Sequence, residues 1–217
     1  MVQRPGLSRD RIINAAVTVA DNGGLSALSM RSVGRELGVE AMSLYHHFSG
    51  KDEILAELAD WPFTQIDLPA ADQPWWPAMI RRAASARRVL FAHPWALGLI
   101  ESRRDPGPAV LRHHDAVLGC LRRNGFSVAL AAHAFSALDA YVYGFVLTEL
   151  NLPFKALPDE AAATISGCDI SADAYPHLAE LSTEMVTDKH YAYADEFAYG
   201  LDLILTELQR RHSRRSE

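Results

Sequence analysis

The sequence predicts an all-α protein. Apolar residues recur at helical spacing along most of the 217 residues, and the period-two alternation typical of strands is almost absent. Pro and Gly residues separate the helical segments. A composition that is 49% apolar and 22% charged is usual for a folded soluble protein. We expect a small three-helix head at the N-terminus and a larger helical domain after it.

The head begins with a helix whose two ends are marked in the sequence. Ser8 is the expected N-cap, and Arg9–Asn22 carries a stripe of apolar residues. The glycine pair at 23–24 is expected to end this helix. A later helix opens near Ser49, where Ser49 and Asp52 have the spacing of a capping box.

Two short helices around a glycine turn lie between these elements. The first covers residues 29–37, the chain turns at Gly38, and the second helix begins two residues later. This spacing is typical of a helix-turn-helix, whose second helix can lie in the major groove of DNA. We expect Val39, Leu44 and Phe48 to form the buried side of the second helix.

The order of residues in this stretch resembles the DNA-binding end of the tetracycline-repressor (TetR) family. The match extends over the N-terminal quarter of the chain with the right internal spacing. The resemblance implies a transcriptional regulator, most often a repressor, whose partner is double-stranded operator DNA. The matching residues are Met30-Arg31-x-Val33, Leu37-Gly38-Val39, Leu44-Tyr45-x-His47-Phe48 and Lys51.

The resemblance also implies which residues contact bases. Ala41, Met42, Ser43 and Tyr45 occupy major-groove positions of the family, and Arg31 takes the place of an arginine that contacts a base. Arginine can bond both O6 and N7 of guanine, whereas Ala41 and Met42 suit a thymine methyl group. The family's namesake has glutamine and proline at those two positions, so we expect a different operator. The alternative for Arg31 is a solvated surface charge.

Two further residues are expected at the DNA backbone. Lys51 lies in the first turn of a helix, where its positive charge is unfavourable next to the helix dipole. A DNA phosphate at this position would be bound both by the free backbone N–H groups of the helix start and by the Lys51 ammonium. His47, like Tyr45, resembles a family position that touches or borders the backbone. The alternative for His47 is an imidazole that is hydrogen-bonded between helices.

The net charge of −6 is distributed unevenly along the chain. Residues 1–51 carry six basic and four acidic side chains, a net of +2, which leaves −8 for the remainder. A basic head on an acidic body suits a protein that touches phosphates at one end only.

Composition also suggests where one domain ends and the next begins. We expect a DNA-binding domain of residues 1–61, a connecting loop of residues 62–74 that is rich in Pro, Asp and Gln, and a helical domain of residues 75–217 for effector binding and dimerisation. The expected helices of the last domain cover residues 76–92, 95–102, 109–123, 127–150, 174–186 and 191–211.

This second domain resembles the C-terminal domain of the tetracycline-repressor type, more loosely than the head does. The resemblance implies a small-molecule effector. The polar residues and the magnesium-binding histidine of the family's namesake do not reappear here, so we expect a different, larger or more apolar effector and no metal. The candidate lining residues, for each of which ordinary core packing is the alternative, are Trp61, Phe91, Trp95, His113, Leu118, Phe135 and Tyr141.

No sequence motif indicates an enzyme. The chain lacks HExxH, G-x-S-x-G, P-loop and dinucleotide-binding patterns. His113 and His114 are adjacent, so they lie about 100° apart on a helix and cannot easily bind one ion. Cys120 and Cys168 form no C-x-x-C motif, which fits a reducing cytoplasm. We expect no cofactor.

Two helical segments are apolar on more than one face. They are Phe135–Leu150 and Phe197–Leu208. A helix of this kind needs two partners. It can be a core helix buried within the subunit, or it can form a four-helix interface across a two-fold axis. The family resemblance favours the second interpretation and therefore a homodimer.

The expected protein is a one-component regulator that binds a palindromic operator as a homodimer and is released by an effector. Its recognition helices would enter successive major grooves. A ligand-independent DNA-binding regulator and an all-α enzyme are the alternatives. No run of about 18 apolar residues suggests a membrane span, and the N-terminal segment lacks the apolar core of a secretory signal. We expect a cytoplasmic protein.

Overall fold

The computed structural model describes residues 6–70, 72–102, 105–152, 172–187 and 193–214. Helices are the only regular elements within these ranges, which confirms the predicted all-α class. Cys168 lies outside them. The helices are α1 (Arg9–Ala27), α2 (Met30–Leu37), α3 (Ala41–Leu44), α4 (Lys51–Asp60), α5 (Pro62–Gln65), α6 (Trp75–Ala92), α7 (Trp95–Ser102), α8 (Pro108–Arg123), α9 (Val128–Leu150), α10 (Pro176–Thr187) and α11 (Tyr193–Ser213).

Helix α1 begins as predicted but ends later. The Ser8 hydroxyl caps it by accepting a hydrogen bond from the N–H of Arg11 at 3.3 Å. Ile12 and Ala16 are completely buried on its inner face. Gly24 interrupts the helix with φ 67° and ψ −179°, and one further helical turn continues to Ala27. The glycine pair therefore interrupts the helix where the sequence predicts a stop, and the element continues for one turn beyond it.

The predicted connecting loop of residues 62–74 is partly helical. Pro62–Gln65 form α5, because proline is well placed in the first turn of a helix. Phe63 and Ile66 are buried beside it, each 4% exposed. The prediction of a loop was wrong for these residues because it weighed proline as a helix breaker.

The chain packs as two units, residues 1–126 and 127–217. In the first unit, α4 packs against α7 and α8 as well as α1. Helices α6 to α8 therefore pack in the same unit as the head, and the predicted domain boundary at residues 62–74 stays a prediction. In the second unit, α9 and α11 pack together, and Val142 and Leu205 are completely buried.

Candidate nucleic-acid interface

The joint between α2 and α3 is fixed by a cap and a turn. The Ser29 hydroxyl accepts from the N–H of Ser32 at 3.0 Å, and the Ser32 hydroxyl accepts from the N–H of Ser29 at 2.8 Å. This reciprocal pair is a capping box. Gly38 ends α2 with φ 69°, a left-handed conformation that glycine adopts at little cost. The sequence predicted this turn correctly.

Residues 41–48, the recognition segment, have a clear inner and outer side. Leu44 and Phe48 are buried, with exposures of 0% and 1%, as predicted. Met42 is 71% exposed and Tyr45 is 48% exposed. The segment thus presents two large side chains to solvent while two others anchor it in the core.

Val39 departs from the prediction. We expected its side chain on the buried side, but it is 36% exposed. Its N–H donates to the carbonyl of Gly34 at 2.9 Å. The prediction was wrong because Val39 belongs to the turn, where its backbone makes the structural contact.

The remaining candidate base contacts also lie in the helix-turn-helix. Arg31 is exposed in the first turn of α2, whereas Ala41 and Ser43 are half-buried in α3. His47 is half-buried after α3, and its carbonyl accepts a hydrogen bond from the Arg9 side chain.

Lys51 is turned toward the end of α1. Its ammonium donates to the carbonyl of Leu25 at 3.3 Å, and the side chain is half-buried at the first position of α4. An ammonium has three N–H donors, so this one bond leaves capacity for a phosphate oxygen.

The start of α4 differs from the predicted capping box. Gly50 is the N-cap, so the third helical residue is Glu53 and not Asp52. Glu53 accepts from the backbone N–H of Ser49 at 2.6 Å and from its hydroxyl at 2.9 Å. The hydrogen bond from the Ser49 backbone, followed by that from Arg9, lowers the pKa of Glu53 from 4.5 to about 2. The carboxylate is therefore ionised at neutral pH.

One carboxylate joins α1 to the segment around α7. Oδ1 of Asp21 lies 2.8 Å from Nδ1 of His93 and accepts from the indole N–H of Trp95 at 2.7 Å. The Trp61 ring meets the His93 ring edge-on, with 4.8 Å between centroids. A shallow cleft of about 530 Å³ adjoins this contact, lined by Ala20, Asp21, Gly24, Leu25, Pro94, Trp95 and Gly98.

A second carboxylate joins α4 to α8. Asp60 accepts hydrogen bonds from the N–H groups of Ala109 and Val110, each at 2.9 Å. These are orphan donors of the first turn of α8, so Asp60 caps that helix from another element. A Cβ at Gly107 would overlap the Asp60 side chain, which explains glycine there.

A buried polar pair connects α6 and α8. Nε of Arg82 donates to Nε2 of His113 at 3.1 Å, and both residues are almost completely buried. A guanidinium only donates, so Nε2 accepts and the ring proton lies on Nδ1. Burial, followed by the charge of Arg82, lowers the pKa of His113 from 6.5 to about 3. Among the described residues, the buried Nδ1 has no hydrogen-bond partner.

The other predicted lining residues do not form one group. Trp61 and Trp95 lie near each other, with 6.2 Å between ring centroids, whereas Phe91 is 44% exposed. The Phe63 ring packs 5.3 Å from the His113 ring, a contact that the sequence did not predict. Leu118 is half-buried in α8, and Phe135 and Tyr141 belong to the second unit.

Helices α9 and α11 expose large apolar side chains. Leu147 is 55% exposed, Tyr199 67% and Leu203 56%. Within the described residues, α9 is also the one helix that is long and apolar enough to cross a membrane, and a core helix of a soluble protein meets the same criterion. Nor do these residues contain a group of three or more His, Cys, Asp or Glu that could hold a metal ion.

Comparison with known families agrees with this geometry. Residues 12–58 match the profile described as bacterial regulatory proteins, tetR family, and residues 68–211 match the profile of the tetracyclin repressor-like C-terminal domain. The second match alone covers most of the chain. The chain belongs to the TetR family. The predicted family is therefore confirmed over both parts of the chain.

Individual TetR-family proteins resemble this chain in sequence and in structure. An HTH-type transcriptional regulator of Saccharopolyspora erythraea is 38% identical over 147 residues, which are 67% of this chain and 62% of that protein. The HTH-type transcriptional repressor DrrR1 of Streptomyces coeruleorubidus is 31% identical over 216 residues, covering 95% of this chain and 78% of the other. The TetR-family protein ActR of Streptomyces coelicolor, solved with actinorhodin, is 25% identical, with a TM-score of 0.73 and coverage of 96% and 99%. These relatives support the predicted ligand-responsive transcriptional repressor.

The sequence does not predict the contacts of Asp21 and Asp60 in this TetR-family chain. Their partners lie more than 45 residues away, and neither carboxylate belongs to a local motif. The one available signal was the start of α8 at Pro108, which has a glycine and not a capping side chain before it. A helix start without a local cap indicates that a more distant group satisfies its N–H donors.

Proposed function

We propose that this protein represses transcription as a homodimer bound to a palindromic operator in the cytoplasm, and that a small-molecule effector releases it. The observation that carries the DNA-binding part is the recognition segment. Its core anchors Leu44 and Phe48 are buried while Met42 and Tyr45 remain exposed. Such a segment can enter a major groove without unfolding any part of the head.

The proposed DNA contacts divide into bases and phosphates. Arg31 would bond a guanine, and Ala41, Met42 and Ser43 would meet neighbouring base edges. Tyr45, His47 and Lys51 would border the backbone. Selection of binding sites from a random DNA pool tests this assignment. We expect a palindrome whose half-sites lie about 34–36 Å apart. Recovery of unrelated sequences without symmetry would contradict it.

The proposed dimer uses α9 and α11. Their exposed apolar side chains are of the kind that a four-helix interface covers, and isolated monomers rarely expose a continuous apolar patch. A dimer also presents the recognition segment twice, as a palindrome requires. Sedimentation equilibrium tests the assembly directly, and we expect a dimer at micromolar protein concentration.

We place effector recognition at His113. A buried N–H donor without a partner is costly, and a hydrogen-bond-accepting oxygen of an apolar effector would satisfy Nδ1. The related ActR has been solved with actinorhodin, which supports a small-molecule site in this fold.

We expect a panel of aromatic compounds, actinorhodin included, to contain one that raises Tm with concentration and lowers operator affinity. Loss of this response in His113→Phe would support the site. If no compound acted on Tm or operator affinity, the ligand-independent alternative would replace the proposal.

The path from His113 to the recognition segment consists of direct contacts. His113 lies on α8, and the first turn of α8 is capped by Asp60 of α4. Helix α4 also carries Glu53, whose carboxylate accepts from Ser49, the residue directly after the recognition segment. Displacement of α8 by an effector would therefore act on α4. An effector can shift the head only by binding the two arrangements with different affinity. Asp60→Ala should weaken the coupling between effector and operator binding.

A further inference from the structure

Arg9 contacts the recognition segment although it lies at the other end of the head. It occupies the first position of α1, and its Nη1 donates to the carbonyl of His47. Its guanidinium carbon lies 4.1 Å from the centroid of the Phe48 ring. The side chain thus holds the last turn of the segment through one hydrogen bond and one cation–π contact.

Two carboxylates of α4 hold the guanidinium in this position. Nη2 of Arg9 lies 2.8 Å from Oε1 of Glu53, and its Nε donates to Oε1 of Glu57 at 3.0 Å. Glu53 also accepts from Ser49, the residue directly after Phe48. The end of the recognition segment is therefore held by α1 and α4 through one connected network.

The charges of this network argue against a phosphate contact at Arg9. Two carboxylates surround one guanidinium, so the local charge is negative and repels DNA. The N–H donors of Arg9 are already directed at three oxygens. The ion pairs are also about 40% exposed, and exposed pairs add little to global stability. We therefore expect these ion pairs to fix the position of the recognition segment and to contribute little to the free energy of unfolding.

We propose that Arg9 is a positioning residue, which clamps the recognition segment in the orientation that reads the operator and makes no phosphate contact itself. This role requires arginine, because a planar guanidinium can donate to the carboxylates of Glu53 and Glu57 and to the carbonyl of His47 while it lies over the Phe48 ring. Lysine keeps the charge but cannot make this set of contacts. The inference rests on the proposed operator binding.

Charge-conserving and charge-removing variants separate a clamp from a phosphate contact. We expect Arg9→Lys and Arg9→Met each to lower operator affinity roughly tenfold, comparable to one mismatched base pair. Affinity for non-operator DNA and the slope of log affinity against log salt should stay unchanged. A phosphate contact predicts the opposite: Arg9→Lys would bind normally, and Arg9→Met would reduce the slope by about 0.9 on every DNA.

A variant on the other side of the clamp gives an independent test. Glu57→Gln removes a negative charge from the head, so electrostatics alone predicts tighter DNA binding. The clamp predicts weaker operator binding, and a combined Arg9→Met and Glu57→Gln protein should lose less than the sum of the single losses. Circular dichroism and Tm of each variant should remain close to the wild-type values, because the ion pairs are exposed.

The outcomes are distinct. Normal operator affinity of Arg9→Lys, or tighter binding of Glu57→Gln, would overturn the clamp while leaving the proposed function intact. Wild-type protein that selects no DNA at all would overturn both. An unfolded Arg9→Met protein would leave the decision to Glu57→Gln and Arg9→Lys, whose operator affinities support or overturn the clamp on their own.

Discussion

The hydroxyl of Tyr141 lies directly against Gly200. It donates to the carbonyls of Glu196 and Phe197, at 3.1 and 3.0 Å, and a Cβ at residue 200 would overlap it. The Tyr141 ring also stacks on the Phe197 ring, with 5.6 Å between centroids. Tyr141 was expected to line an effector pocket, but its hydroxyl joins α9 to α11 in the second unit.

This contact predicts a cost for any side chain at residue 200. Gly200→Ala should lower the free energy of unfolding by about 1–3 kcal/mol, as overpacking of a close contact does. The matched control is Gly98→Ala, which lies in α7, outside the proposed dimer helices, with no atom within 4 Å of its Cβ. That change should be neutral or stabilise by up to about 1 kcal/mol, because alanine favours a helix. Urea unfolding at fixed protein concentration measures both. Equal effects would contradict the contact.

The parts of the fold that the sequence predicted correctly follow local rules. Ser8 caps α1 as predicted because its hydroxyl accepts from the N–H group three residues later. Gly38 marks the turn because its left-handed φ is rare for other residues. Each of these signals and its effect lie within one helical turn, so no tertiary information is needed.

The missed contacts connect residues that are distant in sequence. Arg9 and Glu57 are 48 residues apart, and Asp60 and Ala109 are 49 apart. Arg9 nevertheless carried a signal, because a cation in the first turn of a helix opposes the helix dipole and indicates an anionic partner. In the structure, Glu53 and Glu57 are the anionic partners of Arg9.

Arg31 offers a test of base recognition. Arg31→Ala should cost about 1–3 kcal/mol on the selected operator and relax the preference at one position in each half-site. Arg35→Ala is the matched control, since Arg35 is also exposed on α2 but is not one of the predicted base contacts. Fluorescence anisotropy on a set of single-base operator variants measures the preference. A uniform loss on all sequences would assign Arg31 to the DNA backbone instead.

Lys51 offers the corresponding test of phosphate contact. Lys51→Ala should weaken binding to all DNA sequences about equally and reduce the salt slope by about one. The bond from its ammonium to Leu25 predicts a small additional loss of stability, visible as a lower Tm without DNA. DNA-affinity titrations of wild-type protein and Lys51→Ala at several salt concentrations measure the change in slope. If Tm fell while the slope stayed constant, Lys51 would serve the fold alone.

His113 predicts a specific pH dependence of stability. Its folded pKa of about 3 lies below the ordinary 6.5, so the unfolded chain binds a proton that the folded protein excludes between these values. The free energy of unfolding should therefore fall as pH decreases from 6.5, by at most about 1.4 kcal/mol per pH unit for this group. Well above pH 6.5 the imidazole is neutral in both states and has no effect on stability.

Unfolding between pH 7 and pH 6 isolates this contribution, because Glu53 and Glu207, whose pKa falls from 4.5 to about 2 on folding, are ionised in both the folded and the unfolded state there. We expect His113→Gln to remove part of the slope. An unchanged slope in His113→Gln would show that His113 can take up a proton in the folded state.

The last prediction concerns assembly. Leu203 is 56% exposed on α11, and in the proposed four-helix interface it would be covered by the second subunit. Leu203→Glu would bury a carboxylate without a partner in the interface. Leaving a buried charge unpaired costs about 3–5 kcal/mol, and dimerisation should be weakened by a similar amount. One isolated head makes too few contacts for useful affinity, so operator binding should disappear although all DNA-contacting residues are intact.

The matched control is Leu111→Glu on α8, where leucine is 55% exposed in the first unit. Sedimentation and circular dichroism should show a helical monomer for Leu203→Glu and a dimer that binds operator for Leu111→Glu. If Leu203→Glu remained dimeric and bound operator normally, Leu203 would lie outside the interface.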